Sequence, residues 1–199
     1  MARKWMLALA VTAVALSATA VALAAPLGVG DPAPDWTGLT GVDGKQHSLS
    51  DYKDAKVIVL VFTCNHCPVA VAYEDRLIAL QKEYQNKGAQ VLALCVNNIP
   101  PDRLEAMKKR AADKEFNFPY LADPSQKSGR DYGARVTPHV FVLDKDRKVA
   151  YIGAIDNNMS ADKATKHYVR EAIDALLAGK KPFETKTDAV GCGIKYDAK

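Results

Sequence analysis

The sequence predicts an α/β fold in which helices flank both faces of a central mixed β-sheet. Apolar runs of strand length alternate with segments of helical periodicity along most of the chain. Two of these runs, 57–63 and 90–96, are apolar almost throughout, as expected for strands that are covered on both faces. A final hairpin, with strands at 140–143 and 148–152, indicates that the sheet also contains antiparallel neighbours.

The remaining elements follow from local signals. Residues 27–35 are rich in Gly, Pro and Asp and form an extended lead-in, and a hairpin at 36–49 turns at Asp43-Gly44. A helix is predicted at 69–86, with Gly88 at its C-terminal end. Further along the chain we predict helices and one short strand, and Ser160 is the predicted cap of the last helix. These elements lie at 103–114, 120–122, 124–132 and 160–177.

The first 24 residues have the pattern of a signal peptide. Arg3 and Lys4 are followed by an apolar stretch, and Ala22-Leu23-Ala24 is a small-x-small cleavage site before Ala25. We therefore expect export to the periplasm or secretion, a domain at 25–183, and a polar tail at 184–199. The alternative is an uncleaved membrane anchor, because the stretch is long enough to span a bilayer. Membrane contact is expected only in that case.

Composition excludes one class of partner. The chain has 199 residues, 48% of them hydrophobic, which is enough for one globular core. The net charge is only +4, and no basic stripe with interleaved aromatic residues is present. The sequence therefore predicts no nucleic-acid partner.

A pair of closely spaced cysteines, Cys64 and Cys67, lies between a predicted strand and a predicted helix. The first turn of a helix presents free backbone N–H groups and a partial positive charge, and both stabilise a reactive thiolate. Structural disulfides usually avoid such close spacing, and a zinc site would need a second such pair or spaced histidines. We therefore interpret the cysteines as a redox pair, with no metal and no cofactor.

Four segments resemble the thioredoxin-like superfamily, in particular exported thiol oxidoreductases and its redoxin branch, which is related to the AhpC/TSA-like peroxiredoxins. They are the lead-in 29–35, the hairpin region 44–52, the cysteine segment 64–68 and the segment 136–144. The resemblance implies that Pro138 follows a cis peptide bond after Thr137 and faces the disulfide. The backbone before Pro138 is then available to pair with an extended partner. Alternatively, Pro138 is an ordinary proline at the start of a strand.

The position of the pair at the start of a predicted helix, together with the resemblance, assigns roles. Cys64 is expected to be the more exposed, nucleophilic cysteine with a lowered pKa, and Cys67 the resolving cysteine. His66 either favours the Cys64 thiolate or is an exposed residue without effect. The peroxiredoxin pattern is incomplete, because Cys64 stands where those enzymes carry threonine and Thr63 is one position early. Arg135 is available as their distant arginine.

Three hypotheses about function remain. The first is an exported oxidoreductase that acts on protein or small-molecule thiols and disulfides with an unidentified electron donor or acceptor. The second is a peroxidase that uses Cys67, and the third is a Cu(I) chaperone in which Cys64, Cys67 and a histidine bind the metal.

Two further cysteines and one histidine complete the set of candidate residues. Cys95 is expected to be a buried apolar residue. Cys192 is either a third redox thiol or a lone exposed one, and His139 faces either the site or solvent.

Overall fold

The structure, a computed structural model, describes residues 26–198. The strands are β1 (Leu39–Gly41), β2 (Gln46–His47), β3 (Val57–Phe62), β4 (Ala89–Cys95), β5 (Tyr120–Ala122), β6 (Val136–Thr137), β7 (His139–Leu143), β8 (Val149–Gly153) and β9 (Cys192–Gly193). The helices are α1 (Pro68–Tyr84), α2 (Leu104–Asp113), α3 (Lys127–Tyr132) and α4 (Tyr168–Leu177). The expected signal peptide, residues 1–24, lies outside the described residues. Between residues 26 and 198, every helix is too short or too polar to cross a bilayer.

Seven strands form one mixed sheet in the order β2-β1-β5-β4-β3-β7-β8. The interior strand β3 runs parallel to β4 and antiparallel to β7, and β4 is parallel to β5. The two predicted hairpins, β1–β2 and β7–β8, are both present. The predicted mixed α/β sheet is therefore confirmed.

Alternation along β3 distributes its side chains between two apolar layers. Val57, Val59 and Val61 pack in the layer that contains α1, α2 and α4, whereas Ile58 and Phe62 pack in the layer that contains α3. All of these side chains are fully buried. Burying each of them contributes about 1.5–3 kcal/mol, so this strand fixes the position of everything attached to its ends.

Helix α1 begins at the cysteine segment and ends at Tyr84, two residues before the predicted end at 86. Cys67 is its N-cap residue, and Pro68 occupies the first helical position, where its missing N–H has no consequence. Tyr73, Leu77 and Tyr84 are buried on one face of the helix. Gly88 then adopts a left-handed conformation (φ 99°) that turns the chain into β4.

The last helix is shorter than predicted. We expected 160–177 with Ser160 as the cap, but α4 begins at Tyr168 and Ser160 forms no side-chain capping hydrogen bond. The reason is Asn157, whose Oδ1 accepts the backbone N–H groups of Thr165 and Lys166 at 2.9 and 3.0 Å. These bonds hold the segment before α4 as a loop.

The C-terminal segment is polar, as expected, but it hydrogen-bonds to the domain. The N–H of Ile152 donates to the carbonyl oxygen of Thr185 at 3.1 Å, and the N–H of Thr187 donates to that of Ile152 at 3.0 Å. Farther along, β9 pairs antiparallel with β6, with Cys192 opposite Thr137. The chain therefore returns to the cysteine segment after α4.

Candidate redox site

The two cysteines of the close pair lie at the junction of β3 and α1. Cys64 follows the strand, and Cys67 caps the helix. Both are buried, with exposed fractions of 2% and 0%. Cys64 is thus only marginally the more exposed of the two, because neighbouring residues cover both sulfur atoms.

Thr137 contacts both sulfur atoms. Its Oγ1 lies 3.1 Å from the Sγ of Cys64, and its carbonyl oxygen accepts a hydrogen bond of 3.1 Å from the thiol of Cys67. The peptide bond between Thr137 and Pro138 is cis, as the resemblance implies. One residue therefore brings the two thiols together, although they are separated from it by about 70 positions in the chain.

The electrostatic environment favours a thiolate at Cys67. Burial opposes ionisation, but hydrogen bonds from the Cys192 thiol and from the backbone N–H groups of Ala70 and Cys192 outweigh it, so the pKa of Cys67 is lowered. The N–H of Cys192 lies 3.3 Å from the sulfur. Ala70 belongs to the first turn of α1, so the helix N-terminus acts on Cys67 as helix-end donors do.

Cys64 is in the opposite situation. Burial, together with the negative charge of Asp102, raises the pKa of Cys64 to about 12, although a hydrogen bond from Thr137 opposes both effects. The expected lowered pKa of Cys64 is therefore wrong. The physical reason is that the helix N–H groups point at the second cysteine of the pair and a carboxylate lies beside the first.

Asp102 is a buried carboxylate that organises the segment between the cysteines. Its Oδ1 accepts the backbone N–H groups of Asn65 and His66 at 2.9 and 3.1 Å. Its Oδ2 lies 2.5 Å from Nδ1 of His66 and accepts a 3.0 Å bond from Nδ2 of Asn97. His66 is therefore held against Asp102, and 24% of its side chain is exposed.

Sequence reasoning missed Asp102 and Asn97. Local signals place Asp102 only next to the start of the predicted helix at 103–114. A usable signal existed, because β3 and β4 are parallel and the carboxyl ends of parallel strands meet at one edge of the sheet. Polar residues shortly after β4 were therefore candidates for the cysteine site, which follows β3.

The other predicted residues occupy varied positions. Thr63 is buried, and its N–H donates to the carbonyl oxygen of Leu94 at 2.9 Å. Arg135 is exposed, and its carbonyl oxygen accepts the N–H of Ile194 at 2.9 Å. Cys95 is buried as expected, and its thiol contacts the carbonyl oxygen of Asp102 at 3.5 Å.

His139 faces neither the cysteines nor solvent. It is buried with its ring 4.7 Å from that of Phe141, and its Nδ1 has no hydrogen-bond partner among the described residues. Burial, together with the positive charge of Arg135, lowers the pKa of His139 to about 4. The residue is therefore a neutral part of the core.

One group of side chains in the described region has the spacing of metal ligands. Ligand atoms of Cys64, His66 and Asp102 all lie within 4.8 Å of one another. This set differs from the Cu(I) ligands considered above, because a carboxylate replaces Cys67 and carboxylates suit harder cations. Four hydrogen bonds already occupy the oxygens of Asp102. The Cu(I) hypothesis therefore gains no support from this geometry.

Comparison with known sequences identifies related proteins. The sequence model of the Redoxin family matches residues 28–168. Thiol-disulfide oxidoreductase ResA from Geobacillus thermodenitrificans is 28% identical over 141 residues, which cover 70% of this chain and 75% of the relative. Peroxiredoxin-2 from Bos taurus is 31% identical over 133 residues, and the match covers 63% of this chain and 61% of peroxiredoxin-2.

Solved structures extend the likeness to the whole described fold. An uncharacterized conserved protein from Geobacillus kaustophilus has a TM-score of 0.81 and 34% identity, and the match covers 87% of this chain and 94% of that one. A putative thiol:disulfide interchange protein DsbE from Chlorobium tepidum has a TM-score of 0.55 and 29% identity over 62% of this chain and 82% of that one.

Proposed function

Because this chain belongs to the redoxin family and has a thioredoxin-like fold, we propose that it is a thiol-disulfide oxidoreductase whose Cys64 and Cys67 alternate between dithiol and disulfide. The observation that carries this proposal is the convergence of both sulfur atoms on Thr137, at 3.1 Å each, before the cis proline. A disulfide at this position would close a small ring at the start of α1, and the family likeness to ResA is consistent with such chemistry.

In the proposed reaction, Cys67 provides the attacking thiolate because its pKa is lowered. It attacks one sulfur of a substrate disulfide, forms a mixed disulfide and releases the other sulfur as a thiol. Cys64 then attacks the Sγ of Cys67, which releases the second substrate thiol and leaves the Cys64–Cys67 disulfide. The reverse sequence oxidises two substrate thiols.

Two neighbours assist Cys64 in this scheme. Because the Cys64 thiol has a high pKa, it must lose a proton as it attacks. Its sulfur and the polar atoms of His66 and Asp102 all lie within 4.8 Å of one another. We assign His66 as the proton acceptor, because part of its side chain reaches solvent, and Asp102 as the residue that orients it. Pro138 and Thr137 form the wall against which both sulfurs lie.

A second candidate function is a thiol peroxidase. The lowered pKa and complete burial of Cys67 favour a small substrate such as a peroxide, and peroxiredoxin-2 is among the relatives. The Cys67 thiolate would attack the peroxide, releasing an alcohol or water and leaving a sulfenic acid. Cys64 would then displace water to form the same disulfide. Arg135, which is exposed, and Thr63 would be auxiliary residues.

We also propose that the protein is exported to the periplasm or secreted, and that its partners are thiols or disulfides together with a separate electron donor or acceptor. The basis is the basic and apolar leader of residues 1–24 with its cleavage site before Ala25. Disulfide chemistry of this kind persists outside the cytosol.

The test compares two reactions in one set of variants. Wild type, Cys64→Ser, Cys67→Ser and the control Cys95→Ala are assayed for reduction of insulin disulfides and for consumption of hydrogen peroxide. Loss of insulin reduction in both site variants, with slow peroxide consumption throughout, supports the oxidoreductase. Rapid peroxide consumption that requires Cys67 supports the peroxidase. Peptide mapping that finds Cys64 and Cys67 both free after oxidation with diamide would overturn both candidates.

A further inference from the structure

Strand β9 is fixed against the site by hydrogen bonds beyond its pairing with β6. After Cys192, the backbone N–H of Lys195 donates to Oδ1 of Asn97 at 2.8 Å, and the hydroxyl of Tyr196 donates to the carbonyl oxygen of Ala134 at 2.8 Å. Before Cys192, Gly191 approaches Thr137 so closely that a Cβ on it would lie 1.9 Å from the carbonyl oxygen. Only glycine permits this approach, so the sequence around Cys192 suits the docked position.

Docking brings a third thiol to the pair. The backbone N–H of Cys192 donates to the sulfur of Cys67 at 3.3 Å, and the Cys192 side chain contributes to the lowered pKa of Cys67. Cys64, Cys67 and Cys95 are at most 2% exposed, whereas Cys192 is only partly buried. A molecule arriving from solvent therefore reaches Cys192 before it reaches either member of the pair.

The docked strand also limits how a partner can approach. β9 occupies the backbone of Val136 and Thr137, which is the segment that an extended peptide would otherwise pair with. A thiol in solution needs access only to the sulfur of Cys192. This geometry selects small or flexible thiols that make no strand pairing with β6.

We propose that Cys192 is a catalytic thiol that transfers the disulfide between the buried Cys64–Cys67 pair and small thiols in solution. The proposal rests on the proposed redox function of the pair. In the oxidised protein, the Cys192 thiolate attacks the Sγ of Cys67, which breaks the Cys64–Cys67 bond, forms a Cys67–Cys192 disulfide and leaves Cys64 as the thiolate that takes up a proton.

Two external thiols complete the transfer. The first attacks the Sγ of Cys192, releases Cys67 as a thiolate and forms a mixed disulfide on Cys192. The second attacks the external sulfur of that mixed disulfide, releases Cys192 and leaves as the external disulfide. In total, two external thiols are oxidised to one disulfide, and the Cys64–Cys67 disulfide is reduced to two thiols. The same steps in reverse reduce an external disulfide.

The charges around Cys192 link its reactivity to the state of the pair. In the reduced protein, its hydrogen bond to Cys67, together with burial, raises the pKa of Cys192 to about 11. When Cys67 is part of a disulfide, the thiolate that accepts this hydrogen bond is absent. The neighbouring positive charge of Lys195 then favours the Cys192 thiolate. Cys192 is thus more easily ionised when the pair is oxidised and needs an attacking thiol.

The first experiment measures how fast a small thiol reduces the pair. Peptide mapping first verifies the Cys64–Cys67 disulfide in oxidised wild type, Cys192→Ser and the control Cys95→Ala. Each protein is mixed with excess reduced glutathione, quenched with acid at timed intervals and mapped by mass spectrometry. We expect reduction to be at least tenfold slower in Cys192→Ser and within twofold of wild type in Cys95→Ala. Equal rates in wild type and Cys192→Ser would overturn the proposal.

The Cys192→Ser variant distinguishes a catalytic role of Cys192 from a structural one. Serine lacks the reactive sulfur, but its hydroxyl can replace the thiol as a hydrogen-bond donor to Cys67. The equilibrium between dithiol and disulfide in glutathione buffers should therefore stay within twofold in Cys192→Ser while the rate falls. If the equilibrium constant in Cys192→Ser changes by the same factor as the reduction rate, the role of Cys192 is structural and the proposal is overturned.

A second experiment looks for the transfer intermediate. Cys64→Ser cannot form the close pair, so oxidation with diamide should produce a Cys67–Cys192 disulfide within one chain. Recovery of Cys192 as a free thiol would overturn the proposal. Failure of the wild type to form Cys64–Cys67 would instead contradict the proposed function, so the two failures are distinguishable.

Discussion

Replacing Asp102 with asparagine tests the electrostatic account of the site. The carboxylate lies within 4.8 Å of the Cys64 sulfur, and the substitution removes its negative charge while preserving the shape of the side chain. With an effective dielectric constant of about 20, two negative charges at that separation repel by about 3.5 kcal/mol, or about 2.5 pKa units. Hydrogen bonds to Asp102 spread part of this charge, so we expect the pKa of Cys64 to fall by about 1–2 units.

The change in pKa converts to a measurable rate. At a pH below the pKa, each unit of decrease raises the thiolate fraction of Cys64 tenfold, but about half of that gain on a logarithmic scale is lost because a less basic thiolate is a weaker nucleophile. We therefore expect iodoacetamide to alkylate Cys64 about 3- to 10-fold faster at pH 8 in Asp102→Asn, as measured by site-resolved mass spectrometry.

A matched control accounts for the loss of hydrogen bonds. Asp102→Asn leaves buried donors without an acceptor, at a cost of about 1–3 kcal/mol each, so urea unfolding should show lower stability. Asp123 is also a buried carboxylate, and it accepts bonds from Ser125 and Ser128. Asp123→Asn should lose stability without faster alkylation of Cys64. An unchanged or slower alkylation of Cys64 in folded Asp102→Asn would refute the reasoning.

Three other predictions follow from the same geometry. In the reduced wild type, Cys67 should alkylate at a lower pH than Cys64, and site-resolved mapping that finds the reverse order would contradict the assigned thiolate. His139 has a folded-state pKa of about 4, below its unfolded value of about 6.5, so its contribution to stability is complete above pH 6.5 and is lost as the pH falls toward 4. Urea unfolding at pH 7.5 and 5 should show a smaller pH dependence in His139→Phe than in wild type. Arg76→Met should destabilise the fold by about 3 kcal/mol, because the partner carboxylate of Asp156 stays buried without its positive charge.

The control for the Arg76 variant is a surface pair. Lys109 and Asp113 are both more than half exposed, and such pairs contribute between about 0 and 1 kcal/mol. Lys109→Met should therefore change the urea midpoint very little. Equal losses in the two variants would contradict the role assigned to burial.

The pattern of apolar residues predicted the sheet, because the burial of strands determines which positions must be apolar. Strands such as β3 and β4 are apolar on both faces, and a chain can satisfy that pattern only at the centre of a covered sheet. The predicted start of α4 was wrong because a single side chain determines it. Asn157 accepts hydrogen bonds from two backbone N–H groups of the loop, and no local sequence pattern identifies these partners.

The sequence predicted which groups meet at the candidate site, but not their electrostatics. The spacing of Cys64 and Cys67 and the Thr137-Pro138 dipeptide identified groups that the fold does bring together. Which sulfur is the better thiolate depends on donors and charges that come from distant parts of the chain, above all Asp102 and Cys192. Because Asp102 and Cys192 are far from the pair in the sequence, their effect on the two thiols cannot be predicted before the topology is known.

The docking of both ends of the described region, residues 26–198, has a consequence for aggregation. Strand β8 is an outer strand of the main sheet, and an uncovered outer strand can recruit strands from other molecules. Here the N–H groups of Gly30 and Ala33 donate to the carbonyl oxygens of Val149 and Arg147, at 2.7 and 2.8 Å, and Ile152 bridges to the C-terminal segment. The opposite outer strand, β2, is only two residues long. Removing either end of the described chain would therefore expose a sheet edge and promote intermolecular β-pairing even if the redox site stayed intact.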